Sequence, residues 1–167
     1  MFIDETGTHI GMTRTYARAL RGHPAVGVAP RNRGQTLTLI SAMTHLGIQS
    51  QMVIEGAVTG DVFVEYVRQV LLPKLRAGQV VIMDGLGAHH RPEVKTLLEA
   101  SGCSLILLPS YSPDFNPIEC AFAWLKAYLR SVGAGTRKEL IAAIARAGRL
   151  IGEVLASAWF VGCGYLV

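Results

Sequence analysis

The chain has 167 residues, of which 50% are hydrophobic and 17% charged, with a net charge of +4; these values suit one globular domain and exclude a disordered chain. No apolar run reaches the ~18–20 residues of a membrane span, and the N-terminus lacks the pattern of a signal peptide. The three cysteines form no CxxC pair, which favours reduced thiols over a disulfide framework or a zinc site.

The first third of the sequence predicts strands. Residues 1–4, MFID, predict a first strand that ends at Asp4. Residues 11–22 predict a strand with a turn at Arg21 and Gly22, and residues 23–35 predict a loop. Further on, two β-rich stretches predict a hairpin through His45, Leu46 and Gly47, over residues 36–47 and 48–56.

The apolar spacing then changes to that of a helix over residues 60–75, which Pro73 is predicted to kink or end. Two continuous apolar runs, 79–84 and 103–109, predict buried parallel strands. Between them, residues 91–102 predict a helix with proline near its start and glycine after its end.

Two helices are predicted after the second parallel strand. The first begins at Asn116 as N-cap and has one apolar stripe of Ile118, Phe122, Leu125 and Leu129. The second covers 136–155, with Thr136 and Glu139 as a capping box. This order of elements predicts an α/β fold in which antiparallel hairpins join a parallel β-α-β part in one mixed sheet, with helices on its faces.

Three carboxylates are predicted to converge at one edge of this sheet. Asp4 and Asp84 each follow apolar strand residues, and Asp84 lies where ligands of open α/β sheets bind. Glu119 lies on the first turn of the helix that begins at Asn116. Each residue also has a structural interpretation: the two aspartates as strand-end residues that cap a loop, and Glu119 as the third residue of a capping box.

Converging carboxylates repel one another, and a divalent cation relieves that repulsion. Oxygen ligands without thiolate or paired imidazole favour Mg²⁺ or Mn²⁺. Two such ions can activate a water or hydroxyl and stabilise the leaving oxygen of a phosphodiester.

Positive charge is concentrated in two segments, which favours a polyanion as substrate, although a solvated surface is the plainer interpretation. No acidic residue lies between Glu5 and Glu55, an interval that contains Arg14, Arg18, Arg21, Arg31 and Arg33. The second segment is opposed only by Glu139 and contains Lys126, Arg130, Arg137, Lys138, Arg146 and Arg149.

Three motifs resemble the catalytic domain of DDE-type transposases, and among these the bacterial insertion-sequence enzymes of the mariner-like superfamily. They are FIDETG (2–7), VVIMDGLGAHH (80–90) and LILLPSYSPDFNPIE (105–119), with 34 residues between Asp84 and Glu119. The resemblance extends over nearly the whole chain and implies a single RNase H-like domain over residues 1–167, with a mixed five-stranded sheet and helices on both faces.

The resemblance also implies a metal-dependent enzyme that cleaves and transfers DNA strands in transposition. Asp4, Asp84 and Glu119 match the metal-binding carboxylates of the family, with two Mg²⁺ or Mn²⁺ ions expected and Asp4 bridging them. The implied partners are transposon-end and target DNA, and a second copy of the chain in the DNA complex, in a bacterial cytoplasm at the nucleoid and not at a membrane. The predicted DNA contacts are Arg14, Arg18, Arg31, Arg33, His89, Lys126 and Arg130.

Two departures from the family pattern keep an alternative open. Gly85 stands where the family usually has asparagine, and no N-terminal helix-turn-helix region precedes the first catalytic strand. The alternative is a truncated, non-catalytic DNA-binding or assembly remnant of a transposase. A different RNase H-like nuclease, such as a ribonuclease or resolvase, is disfavoured by the SPDFNPIE motif. Tyr111 and Trp124 are predicted to be packing groups.

Overall fold

The computed structural model describes residues 1–30, 34–85, 89, 91–109 and 112–167. Within these residues, five strands form one mixed sheet in the order β3-β2-β1-β4-β5. The strands are β1 (Phe2–His9), β2 (Thr36–Thr44), β3 (Gly47–Glu55), β4 (Val80–Met83) and β5 (Ser104–Leu107). β1 is antiparallel to β2 and parallel to β4, β4 is parallel to β5, and the predicted hairpin joins β2 to β3.

The helices are α1 (Gly60–Tyr66), α2 (Pro92–Ala100), α3 (Pro117–Val132), α4 (Arg137–Leu150) and α5 (Glu153–Gly162). α1 continues as a π-helical turn, Val67–Leu71, and a 3-10 turn, Leu72–Lys74, after which the backbone is extended at Leu75, as Pro73 predicted. A second 3-10 turn, Pro113–Phe115, lies just before α3. No helix in the described ranges is both long and apolar enough to cross a membrane.

Helices cover both faces of the sheet, as predicted. On one face, α3, α4 and α5 enclose a core that includes Phe2, Leu39 and Phe122. On the other, α1 and α2 enclose a core that includes Ile3 and Phe63. Successive residues of a strand point to opposite faces, so β1 presents its even-numbered side chains to α3 and its odd-numbered ones to α1.

β1 is longer than the sequence predicted, because it continues past Asp4 to His9. Asp4 lies opposite Ser41 of β2 inside the ladder, so the interpretation of Asp4 as a strand-end residue is wrong. The buried Thr8 donates its hydroxyl to the carbonyl oxygen of Leu37. The threonines interrupt the apolar run, so the sequence pattern ends the strand too early. Threonine is nevertheless β-branched and favours strands.

The strand predicted over residues 11–22 is also wrong. Residues 13–30 form no strand or helix, and all but the first are exposed. Only the turn at Arg21 and Gly22 is present, closed by a hydrogen bond from the His23 N–H to the Leu20 carbonyl oxygen. Arginines at close intervals leave this segment without an apolar face that a sheet could bury.

The single helix predicted over residues 136–155 is in fact two helices, α4 and α5, separated at Ile151 and Gly152. The N–H of Ile48 at the start of β3 donates to the Ile151 carbonyl oxygen (3.3 Å), which diverts the backbone from the helix. Gly152 then serves as the N-cap of α5. The capping box of Thr136 and Glu139 is confirmed.

Candidate active site

Asp4 and Asp84 are brought together by the pairing of two adjacent parallel strands. Ile3 of β1 lies opposite Met83 of β4, and each aspartate is the next residue along its chain. The first strand therefore neighbours the strand before Asp84, which is the arrangement that the predicted convergence of the two aspartates requires. Asp84 is the first residue after β4, at the carboxyl end of a parallel strand.

Asp4 is a buried carboxylate with two hydrogen-bond donors. Its Oδ1 accepts from the Glu5 N–H (2.7 Å), and its Oδ2 accepts from Nδ2 of Asn116 (2.8 Å). Burial raises the pKa of Asp4 to about 7; the Glu5 N–H opposes this shift, and repulsion from Asp84, Glu119 and Glu5 adds to it. The ionised form of Asp4 is therefore unfavourable, and a bound cation would stabilise it.

Asn116 occupies the N-cap position of α3, as predicted, but its side chain does not cap the helix. Its amide nitrogen binds Asp4 instead, and its Oδ1 is buried without a hydrogen-bond partner among the described residues. Only the backbone closes the first turn, through a bond from the Glu119 N–H to the Asn116 carbonyl oxygen (3.1 Å). The capping-box interpretation of this segment is therefore wrong, and Asn116 is a site residue that sequence reasoning treated only as a cap.

Glu119 is exposed on the first turn of α3, and its charge is one of those that raise the pKa of Asp4. The charges of Asp84 and Glu119 thus both act on Asp4. Within the described part of the chain, however, no three His, Cys, Asp or Glu side chains are arranged to hold one ion. The carboxylates are oxygen ligands of the kind that Mg²⁺ and Mn²⁺ prefer, so their chemistry fits such an ion. Their side chains, however, are not arranged around a single ion position in this structure.

His89 links two carboxylates on the opposite face of β1. Its Nδ1 lies 2.7 Å from Oδ1 of Asp84, and its Nε2 lies 2.9 Å from Oε2 of Glu5. The ring packs against Phe63, with 4.4 Å between centroids. Burial lowers the pKa of His89, but the hydrogen bonds to Asp84 and Glu5 more than offset this effect and raise the pKa to about 10. The ring is therefore a cation held between two anions.

His89 was predicted to contact DNA, and the structure places its ring inside the protein. The residue is 1% exposed, and both ring nitrogens are engaged by protein carboxylates. Glu5, its second partner, was not predicted as a site residue. The available signal was strand alternation, which places Glu5 on the face opposite to Asp4.

The predicted DNA-contacting cations lie in two places. Arg14 and Arg18 are exposed in the segment between β1 and β2, and Lys126 and Arg130 are half-buried on α3. The predicted contacts Arg31 and Arg33 lie outside the described residues, as does Tyr111.

Trp124 is a packing group, as predicted. Its ring stacks on Tyr128, with 5.7 Å between centroids and 6° between the ring planes, and both rings border the core under α3.

The sheet order, the parallel pairing of β1 with β4 and the helices on both faces define an RNase H-like α/β domain with Asp4 and Asp84 directly after paired residues of two neighbouring parallel strands. A family model described as DDE superfamily endonuclease matches residues 1–141, and the chain belongs to this family. A comparison with curated protein sequences gives no match.

Solved structures of Mos1 transposase share the fold. The Mos1 strand transfer complex has a TM-score of 0.72 at 16% identity, and the Mos1 mariner paired end complex with Mn has 0.70 at 16%, each over 97% of this chain and 51% of that chain. The Mos1 transposase catalytic domain with raltegravir and Mg has 0.67 at 12%, over 97% of this chain and 77% of that chain. The chain therefore spans about half the length of the Mos1 chains in the two complexes.

Proposed function

We propose that this protein acts as the catalytic domain of a DDE transposase, which cleaves DNA strands and joins the freed ends to target DNA. The proposal rests on one observation: Asp4 and Asp84 follow paired residues of adjacent parallel strands, and the charge of Glu119 reaches the same edge from α3. Membership of the DDE endonuclease family and a fold shared with the Mos1 strand transfer complex support this function.

We propose that Asp4, Asp84 and Glu119 would together hold two Mg²⁺ or Mn²⁺ ions. The raised pKa of Asp4 supports this, because a cation would favour the ionised form. When bound, such ions supply an activated water and stabilise the leaving oxygen of the phosphodiester. Since Asp84 pairs with His89 in the structure, ion binding requires the carboxylates to rearrange.

The surrounding residues would orient the carboxylates. Asn116 holds one oxygen of Asp4 on the face of α3, and His89, fixed by Glu5, holds one oxygen of Asp84 on the other face. The two hydrogen bonds approach the catalytic edge from opposite faces of the sheet, so each carboxylate has its own support.

α3 offers a track for the DNA backbone that starts at the carboxylates. Glu119, Lys126 and Arg130 are separated by seven and four residues, so they share one face of the helix. At ~1.5 Å per residue, the two cations lie about 10 Å and about 16 Å along the helix from Glu119. We propose that they bind successive phosphates on one side of the cleaved bond, and that Arg14 and Arg18 bind a more distant stretch of DNA.

We further propose that residues 1–167 act as one domain, at the nucleoid of a bacterial cytoplasm, and as a homodimer on transposon ends. The segment between β1 and β2 supports a protein contact, because Tyr16, Leu20 and Val28 are 90%, 81% and 97% exposed. Exposed apolar side chains next to arginines suit a surface that meets both a protein and DNA.

The test is a DNA nicking assay with the purified domain, a supercoiled plasmid and Mn²⁺. The domain is expected to nick the plasmid, and Asp84→Asn to lose this activity, whereas Glu93→Gln, an exposed acid on α2, is expected to retain it. EDTA should abolish nicking. Equal nicking by the domain and Asp84→Asn would refute the catalytic proposal. DNA binding without nicking would instead favour the non-catalytic remnant. This second candidate is supported by Gly85, which departs from the family pattern, and by the absence of a three-carboxylate group that could hold an ion among the described residues.

A further inference from the structure

The exposed face of α4 carries positive charge to which the proposed function gives no role. Lys138, Arg146 and Arg149 are all exposed. Lys138 and Arg149 are eleven residues apart, close to three helical turns, so they lie on one line, with Arg146 beside Arg149. Arg137, at the start of the same helix, is paired with Glu55, whereas none of the other three cations has an acidic partner among the described residues. These three charges are therefore available to an external anion.

A cleft of about 370 Å³ opens at the Arg149 end of this face, between α4 and β3. Arg149 and Gln51 line it from the two sides, and Ala145 and Gly148 leave it open because their side chains are small or absent. No acidic side chain of the described residues lines the cleft. β3 is the outermost strand on this side of the sheet, so the cleft lies at the border of the domain. We call it the α4 cleft.

Gln51 brings two hydrogen-bond donors to the α4 cleft. Its Nε2 is buried without a hydrogen-bond partner among the described residues, and its amide lies against Gly148. Rotation about the last bond of the side chain turns an N–H towards the cleft. The backbone N–H of Gln51 points to the open edge of the sheet, because the Gly56 N–H donates inwards to the Thr36 carbonyl oxygen and the direction alternates along an antiparallel ladder.

We propose that the α4 cleft and the exposed face of α4 bind the phosphate backbone of DNA, as a site separate from the carboxylates and from α3. One phosphate lies in the cleft, where it accepts from the Arg149 guanidinium and from the two N–H groups of Gln51. Lys138 and Arg146 contact neighbouring phosphates. Unpaired donors beside a cation, with no carboxylate in the lining, favour an anion. The proposal rests on the proposed function, which makes DNA the substrate of this domain.

The length of the row of cations favours DNA over a small anion. At ~1.5 Å per residue, Arg146 lies about 4.5 Å and Lys138 about 16 Å from Arg149 along the helix. A single small anion reaches only one end of this row. A DNA strand carries a phosphate at every nucleotide, so one backbone can contact all three side chains.

The α4 cleft is also near enough to the candidate active site for one duplex to contact both. Gln51 lies opposite Ser41, and Ser41 lies opposite Asp4, so the cleft is two strands away from Asp4 across the sheet. At ~4.8 Å between neighbouring strands, that separation is about 10 Å, well below the ~34 Å of one helical turn of DNA.

The test measures how salt affects DNA binding by the folded full chain, from the fluorescence anisotropy of a labelled duplex in EDTA, which prevents metal-dependent cleavage. Each phosphate contact contributes ~0.9 to the slope of log affinity against log salt concentration, a roughly 3.5-fold change between about 50 and 200 mM salt. Arg149→Gln, Lys138→Gln and Arg146→Gln should each lower the slope by about 0.9. Gln51→Met removes a donor but no charge, so it should weaken binding and keep the slope. Thermal unfolding checks that each variant is folded.

Arg68→Gln is the charge-matched control. Arg68 is exposed beside Glu65 in the π-helical turn after α1, on the face of the sheet opposite to α4, and its loss should leave the slope unchanged. Equal falls in Arg149→Gln and Arg68→Gln would mean that only net charge matters and would overturn the proposal. Undiminished binding by Gln51→Met would also overturn it. So would an unchanged slope in Arg149→Gln together with weaker binding of a poly-glutamate peptide, which would make the cleft a site for acidic peptides.

Plasmid nicking with Mn²⁺ is measured separately, so that failure of this site and failure of the proposed function are distinguishable. A domain that shows the expected slope changes but never nicks DNA would refute the proposed catalysis and support the α4 cleft. A domain that nicks DNA, but has the same slope after Arg149→Gln, would overturn the α4 cleft and leave the catalytic proposal in place.

Discussion

Replacement of Asp4 by asparagine is expected to stabilise the domain at neutral pH while it removes a proposed metal ligand. Asp4 is buried, and its pKa is raised from 3.8 to about 7. The folded protein therefore keeps a proton that the unfolded chain has already lost, and stability falls as the pH rises from about 4 through about 7. At ~1.36 kcal/mol per pKa unit, the ionisable Asp4 costs about 2 kcal/mol at pH 5 and about 4 kcal/mol at pH 8.

Asparagine has the shape of the protonated acid and cannot ionise. Asp4→Asn should therefore raise the melting temperature by roughly 10 °C at pH 8 and by less than half of that at pH 5, given ~2–4 °C per kcal/mol for a domain of this size. Thermal unfolding followed by circular dichroism at both pH values measures the gain. Glu93→Gln is the matched control and should change stability by less than about 0.5 kcal/mol.

The dependence on pH is the decisive feature of this prediction. A gain of equal size at pH 5 and pH 8 would mean that the charge of Asp4 is not its cause. A loss of stability at pH 8 would mean that the hydrogen bonds of the carboxylate outweigh its burial and repulsion, contrary to the reasoning above. Added Mn²⁺ should stabilise the unmodified domain and leave Asp4→Asn unaffected.

Two further predictions concern other parts of the fold. The pKa of His89 is raised to about 10, so the stability from its ion pairs is fully present below about pH 6.5 and is lost as the pH rises towards about 10. Urea unfolding at pH 7 and pH 10 should show that loss, and His89→Gln should remove it; an equal loss in the variant would contradict the assignment. Gly148→Ala should change stability by less than about 1 kcal/mol, because the new methyl group would meet only the terminal amide of Gln51 on β3, which can rotate away, and alanine favours the helix. Gly162→Ala, where the space is open, should be neutral or slightly stabilising in the same thermal assay.

The parts of the fold that follow from short-range patterns could be predicted from the sequence. The apolar runs of β4 and β5 and the helical stripe of α3 indicate their own structure, because burial selects their residues directly. The break between α4 and α5 could not be predicted in this way. It depends on a hydrogen bond between Ile48 and Ile151, and no local pattern near Ile151 reports a partner so far away in the sequence.

The candidate site likewise has features that the sequence could predict and features that it could not. The positions of Asp4, Asp84 and Glu119 follow from strand order and from the start of one helix, so the sequence could place them at one edge. Their partners depend on which face each side chain meets. Strand alternation sends Glu5 to His89 and Asp4 to Asn116, and both pairings depend on how His89 and α3 pack against the sheet.

The central claim is that Asp4, Asp84 and Glu119 bind the metal ions of a DNA-cleaving site. The most direct measurement is the anomalous scattering of Mn²⁺ in crystals of the domain grown with saturating Mn²⁺. Anomalous peaks are expected beside Asp4 and Asp84, with carboxylate oxygens within coordination distance of the ions. Absence of a peak at these carboxylates, with Asp84 still bound to His89 at 2.7 Å, would contradict the claim.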